Sequence, residues 1–106
     1  MTHRFSILLV LLSGLISVAA VASEYEVGQR DKAFTVKSLK IKRGDVVSFP
    51  NHDAFFHNVY STSVTKTFDL GSYQKGQTKK VVFDKPGKVD VSCVIHPAMR
   101  MTIEVE

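Results

Sequence analysis

The segment CVIHPAMRM, residues 93–101, sets a thiol (Cys93), an imidazole (His96) and a thioether (Met99) at three-residue intervals. Three side chains able to bind a metal therefore fall within seven residues. Thiolate and thioether are soft donors and imidazole is intermediate, a set that suits copper passing between Cu(II) and Cu(I). Calcium or magnesium would demand oxygen donors instead. Cys93 is the sole cysteine of the chain. Taken without its neighbours it would read equally well as a buried inert thiol or as half of a disulfide between two chains.

A trigonal copper site needs a second imidazole, and the two-residue spacers leave no room for one on the same segment. The remaining choices beyond the N-terminal stretch are His52 and His57. His57 opens the alternating stretch HNVYS, where strand pairing would fix its ring, whereas His52 lies in the polar turn PNHD and reads as a solvated loop residue. His57 is the preferred partner.

Donors drawn from a loop and a distant strand must be held by a rigid frame, and the pattern of the chain supplies one. After residue 24 no stretch sustains apolar residues at i, i+3, i+4 and i+7, while period-two alternation recurs between Gly and Pro turns. VVSFP (46–50), HNVYS (57–61), KKVVF (79–83), KVDVSC (88–93) and MTIEVE (101–106) read as strands, with turns at Arg43-Gly44-Asp45 and Lys85-Pro86-Gly87. Phe34 and Val36 share one parity and Leu39 and Ile41 the other, so a kink near Lys37 and Ser38 is expected to turn both pairs inward. Val89, Val91 and Cys93 share a face, as do Met101, Ile103 and Val105. That places Met101 in the core, along with Phe49 and Phe83. Phe55, Phe56, Pro97 and Ala98 flank the donors and are candidates for an apolar surface around His96. The fold class is all-β, a sandwich or small barrel of about six to eight strands.

The N-terminus carries His3 and Arg4, then an apolar run from Ile7 to Val21, then the small residues Ala20 and Ala22 in an A-x-A pattern. This is the form of a secretory leader, with cutting expected near Ala22 or Ser23. Residues 1–23 are assigned as the leader and 24–106 as a single domain; about 83 residues can build one modest core and no second one. Losing Arg4 leaves 13 basic against 10 acidic side chains, a net charge of +3. That mild excess is no footprint for nucleic acid.

Together HNV (His57, Asn58, Val59) and C-x-x-H-P-x-M-R (Cys93, His96, Pro97, Met99, Arg100) resemble the cupredoxins, and within them the amicyanin pattern. The similarity runs from KRGDVVSFPN to the terminal EVE. Val94 and Ile95 depart from it where a proline often precedes the loop histidine, as does Met101 where glycine is common, and FDLGSYQKGQTKK (68–80) has no clear counterpart. The resemblance implies a Greek-key β-sandwich with one copper held by His57, Cys93 and His96, and by Met99 as the axial donor. It also implies that the Asn58 side chain ties the His57 segment to the cysteine loop.

The expected role is a blue copper protein of the periplasm shuttling single electrons. It is expected to work as a monomer, without enzymatic activity, nucleic acid or lasting membrane insertion, between partners such as a c-type cytochrome or a periplasmic dehydrogenase. Lys75, Lys79, Lys80 and Lys88 are candidates for steering an acidic partner. The alternatives are a copper carrier holding Cu(I) without redox cycling, and a structural β domain dimerised through Cys93.

Overall fold

The computed structural model describes residues 21–106, so all of the expected leader except its last three residues lies outside the described residues. Ten short strands follow: β1 (Glu24–Glu26), β2 (Gln29–Arg30), β3 (Ala33–Phe34), β4 (Ser38–Ile41), β5 (Asp45–Pro50), β6 (His57–Ser63), β7 (Lys66–Tyr73), β8 (Thr78–Phe83), β9 (Gly87–Cys93) and β10 (Arg100–Val105). One sheet has the order β1-β5-β8 and the other β4-β10-β9-β6-β7, with β2-β3 as a small hairpin. Strands adjacent in a sheet but distant in sequence, such as β4 beside β10 and β6 beside β9, mark Greek-key connections. The all-β sandwich expected from the sequence is the observed fold.

Alternation explains which side chains the sheets enclose. Val89, Val91 and Cys93 of β9 and Met101, Ile103 and Val105 of β10 are all buried, as are Phe49 and Phe83. Each such aliphatic or aromatic side chain contributes roughly 1.5–3 kcal/mol by leaving water. The kinked 34–41 stretch divides into β3 and β4. Phe34 and Ile41 are buried, while Val36 and Leu39 pack against the core from half-buried positions.

Three elements exceed the sequence reading. β1 presents Glu-Tyr-Glu with only Tyr25 half-buried, and it adds in parallel to the edge of β5, Glu24 facing Val46. β7 contains a bulge: between Asn58 and Tyr60 its register against β6 slips by one residue, and Gly71 there takes φ +70°. A bulge switches the inward parity, so Phe68 and Leu70 face the core before it and Tyr73 after it. The β2-β3 hairpin turns through Asp31 and Lys32, at φ 56° and 58°. Two non-glycine residues at positive φ form the backbone of a type I′ turn, which ordinarily favours Asn-Gly and here needs outside support.

Candidate metal centre

β9 ends at Cys93 with its side chain in the sandwich, and the chain then turns through residues 94–99 before re-entering as β10. Two backbone hydrogen bonds close this loop: Met99 N–H donates to His96 O (2.8 Å) and Cys93 N–H to Met99 O (3.2 Å). Arg100 Nε adds a brace to Pro97 O at 3.2 Å. The closure folds His96 back over Cys93. Across the sheet, Val59 of β6 pairs with Cys93, which carries His57 to the same end of the sandwich.

The donor atoms of His57, Cys93 and His96 all lie within 4.8 Å of one another. Cys93 Sγ is 3.7 Å from His57 Nδ1 and 3.9 Å from His96 Nδ1. Metal–sulfur and metal–imidazole bonds of ~2.3 and ~2.05 Å meeting at ~120° would put S and N ~3.8 Å apart, so the trio would fit a single metal ion. Met99, whose backbone closes the loop, is buried at 1% exposure. His52 is not among these donors, and its ring instead lies beside Gly28.

His57 is held from its far side. Nε2 lies 2.7 Å from Asp53 Oδ2, and both residues are buried. A carboxylate there accepts a hydrogen bond from Nε2–H and so favours the tautomer with a free Nδ1 lone pair toward the sulfur, the form a metal requires. The same carboxylate accepts Asp31 N–H on Oδ1 (2.7 Å) and Lys32 N–H on Oδ2 (3.1 Å), which is the support the positive-φ turn needs. Burial pushes the Asp53 carboxyl up, but the bonds from His57, Lys32 and Asp31 outweigh it and hold the carboxyl below its ordinary range. Asn51 completes the scaffold: its Oδ1 accepts Asp53 N–H (2.8 Å), and its Nδ2 donates to Phe55 O and Tyr73 O (both 2.9 Å). Tyr73, opposite His57 in the β6-β7 ladder, donates its hydroxyl to Phe49 O at 2.6 Å. Burial pushes that phenol up to about 12.

Asn58 joins the two donor segments through its backbone. Its N–H points at Cys93 Sγ (3.5 Å) and its carbonyl accepts Val94 N–H (3.1 Å). The side-chain tie expected from the resemblance is not formed: Asn58 Oδ1 is buried without a hydrogen-bond partner among the described residues.

Only an edge of the site meets solvent. His96 is half-buried, and around it Phe55, Phe56, Val94, Ile95, Pro97 and Ala98 are exposed. Phe55 packs against both imidazoles, its ring centre 5.2 Å from that of His57 and 5.7 Å from that of His96. Val94 and Ile95, departures from the amicyanin pattern, add two exposed apolar side chains directly before His96 in the chain. Sequence reading missed Asp53, for which the only signal was an acidic residue four positions before His57.

A β-sandwich that gathers one thiolate and two imidazoles at a closed end defines a copper protein of the cupredoxin class. The chain belongs to the family of copper binding proteins of the plastocyanin/azurin type, whose model matches residues 21–106. The chain is 36% identical over 90 residues to the methylamine utilization protein MauL of Methylorubrum extorquens, covering 84% of this chain and 79% of that one. Amicyanin-alpha of the same organism is 33% identical over 90 residues, covering 82% and 76%. Amicyanin structures match the fold as well. A Cu(I) variant gives a TM-score of 0.72 at 27% identity and an oxidised variant 0.72 at 28%, each over 84% of this chain and 86% of that one.

Proposed function

We propose that the protein is an exported blue copper protein that carries single electrons between redox partners in the periplasm. The observation that carries this reading is the His57–Cys93–His96 trio, with sulfur–nitrogen separations suited to a trigonal site. Copper bound there supplies a one-electron couple between Cu(II) and Cu(I). The chain's own part is to hold the donors still. The Asp53 carboxylate orients His57, the closed loop orients His96, and burial keeps water from Cys93, so the site needs little rearrangement when its charge changes. Met99 would be the fourth donor, a reading supported by its burial and its place in the C-x-x-H-x-x-M spacing.

Four protein donors leave no position for a substrate, which argues against an enzyme. Electrons are proposed to pass at the exposed edge of His96, where the apolar collar allows brief close docking. Amicyanin is known in both Cu(I) and oxidised forms, which supports cycling at a site of this kind. Since one relative is named for methylamine utilization, an amine-oxidising dehydrogenase is the first donor to test, with a c-type cytochrome as acceptor.

The test is the visible spectrum of the purified domain loaded with Cu(II) and then treated with ascorbate. A strong band near roughly 600 nm that bleaches and returns on reoxidation is expected for a thiolate bound to Cu(II). A colourless protein that takes up only Cu(I) would replace the shuttle with a copper carrier.

A further inference from the structure

Asp45 begins β5 at the end away from Asn51 and the metal-binding residues, and its carboxylate is buried at 5% exposure. Oδ2 accepts Lys42 N–H (2.8 Å) and Oδ1 accepts the backbone N–H of Ser23 (2.9 Å). Ser23 is gripped on its other side too, since its carbonyl accepts Val46 N–H at 2.9 Å, and Glu24 then opens β1 opposite Val46. Before it, Ala22 is exposed and Val21 stands 89% exposed. The fold therefore takes hold of the chain at Ser23. The A-x-A pattern of Ala20 and Ala22 independently marks the bond just before it as a leader cleavage site.

We propose that processing cuts the bond between Ala22 and Ser23, and that the α-ammonium released on Ser23 is the intended partner of the Asp45 carboxylate. The exporting membrane's leader peptidase adds water across the bond. Ala22 leaves with the leader as a carboxylate, and the Ser23 nitrogen becomes an amine that takes up a proton at neutral pH. A neutral N–H donor at 2.9 Å is thereby converted into a cation at the same place. Charge-assisted hydrogen bonds are about twice as strong as neutral ones, so removing the leader tightens β1 onto β5. A cut after Ser23, at the domain boundary read from the sequence, would instead strip Asp45 and Val46 of both contacts. The inference rests on the export reading and is independent of copper.

The charged surroundings leave this pairing open. Lys42 and Arg43 lie in the preceding turn, with Arg43 N–H bonded to the terminal Glu106 carbonyl. Glu24 is engaged by Lys80 of β8 (3.2 Å), and Asp84, next to the Phe83 that faces Asp45, lies 3.6 Å from Lys66.

The full chain exported to the periplasm is expected to yield Ser23 as its first residue on N-terminal sequencing. Retention of the whole chain in the cytoplasm with its leader intact would overturn this inference and the export reading together; export with a first residue other than Ser23, an uncut leader included, would overturn this inference alone. Two purified chains, one starting at Ser23 and one retaining Ala22, are then melted. The Ser23 chain is expected to melt about 4 °C or more higher at pH 7. The advantage should fade as pH rises past the amine's raised value, because the ammonium is lost there. Equal melting overturns the pairing. Asp45→Asn leaves one acceptor oxygen for two N–H donors and so disturbs the Lys42 turn as well as the Ser23 contact; the second readout is therefore made on the unsubstituted protein. Its α-amine, followed by NMR, should titrate above the ordinary value of about 7.7–8.0, and an ordinary value sinks the ion pair.

Discussion

At the scale of single residues, Asp53 shows how one carboxylate serves local strain and metal binding together. Two N–H groups of the Asp31-Lys32 turn and the Nε2 of His57 converge on its two oxygens. An amide at this position has one acceptor oxygen and two donor hydrogens, so it cannot satisfy all three groups. Asp53→Asn should therefore weaken copper binding by roughly 10–100-fold, the usual cost of losing an outer partner of a metal-ligating histidine. The visible band should remain, because Cys93 is untouched. Competition against a chelator of known affinity measures the first effect and absorbance the second; unchanged affinity would confine Asp53 to supporting the turn. Cys93→Ser is the complementary variant. It should fold, since one small buried side chain replaces another, yet show no band near roughly 600 nm with Cu(II) added.

At the scale of elements, the same alternation rule that located five strands failed at β7. Phe68, Leu70 and Tyr73 cannot share a face in an unbroken strand, and the bulge at Gly71 that lets all three pack inward is visible only in the pairing with β6. β1 escaped for a different reason: an edge strand with one half-buried tyrosine has no periodicity to read. That Cys93 and His96 would come together with His57 was legible because metal chemistry restricts donors to a few residue types at short spacing. Asp53 was not, since an outer carboxylate can come from any loop that folds nearby. Two variants test the elements. Gly87, at φ +134°, opens β9, and an added Cβ would meet Thr65 Oγ1 at 2.6 Å. Gly87→Ala should cost about 1–3 kcal/mol in denaturant unfolding while leaving the copper spectrum intact. Asp45 secures the β4-β5 turn, and the N–H groups of Lys42 and Ser23 hold its carboxyl below the ordinary range against the opposing effect of burial. A lowered folded value stabilises the protein above the ordinary value of about 3.9, and the contribution disappears as pH falls through the folded one. The stability gap between the unsubstituted protein and Asp45→Asn should accordingly close in acid, as thermal melts from pH 7 to pH 2 would show.

At the scale of the whole molecule, the lysines and the collar divide the proposed docking between them. Lys79 Nζ donates to Leu70 O (2.7 Å) and Lys80 pairs with Glu24, so both are already engaged within the fold. Lys32 and Lys75 are better placed to steer a partner. The Lys32 ammonium stands 5.6 Å from the centre of the Phe55 ring, and Lys75 lines a pocket of about 280 Å³ with Ala54, Phe55, Phe56 and Gln74. Both lie near Phe55, which packs against His96. Long-range attraction between exposed charges is screened within about 8–10 Å at ordinary salt and sets the rate of encounter, whereas apolar contact sets how closely two redox centres approach. The two contributions should separate experimentally. Lys75→Gln should flatten the dependence of bimolecular electron-transfer rate on ionic strength and leave the rate at high salt nearly unchanged. Ile95→Asp, at a position 53% exposed and outside the donor set, should slow transfer about tenfold or more at every salt concentration, with the visible band and stability preserved. Stopped-flow reduction by a periplasmic partner, compared with reduction by ascorbate, reads both effects. A small reductant needs no docked complex, so it should reduce both variants at the unsubstituted rate. If Ile95→Asp slows ascorbate equally, the collar governs the site itself and the port lies on another face.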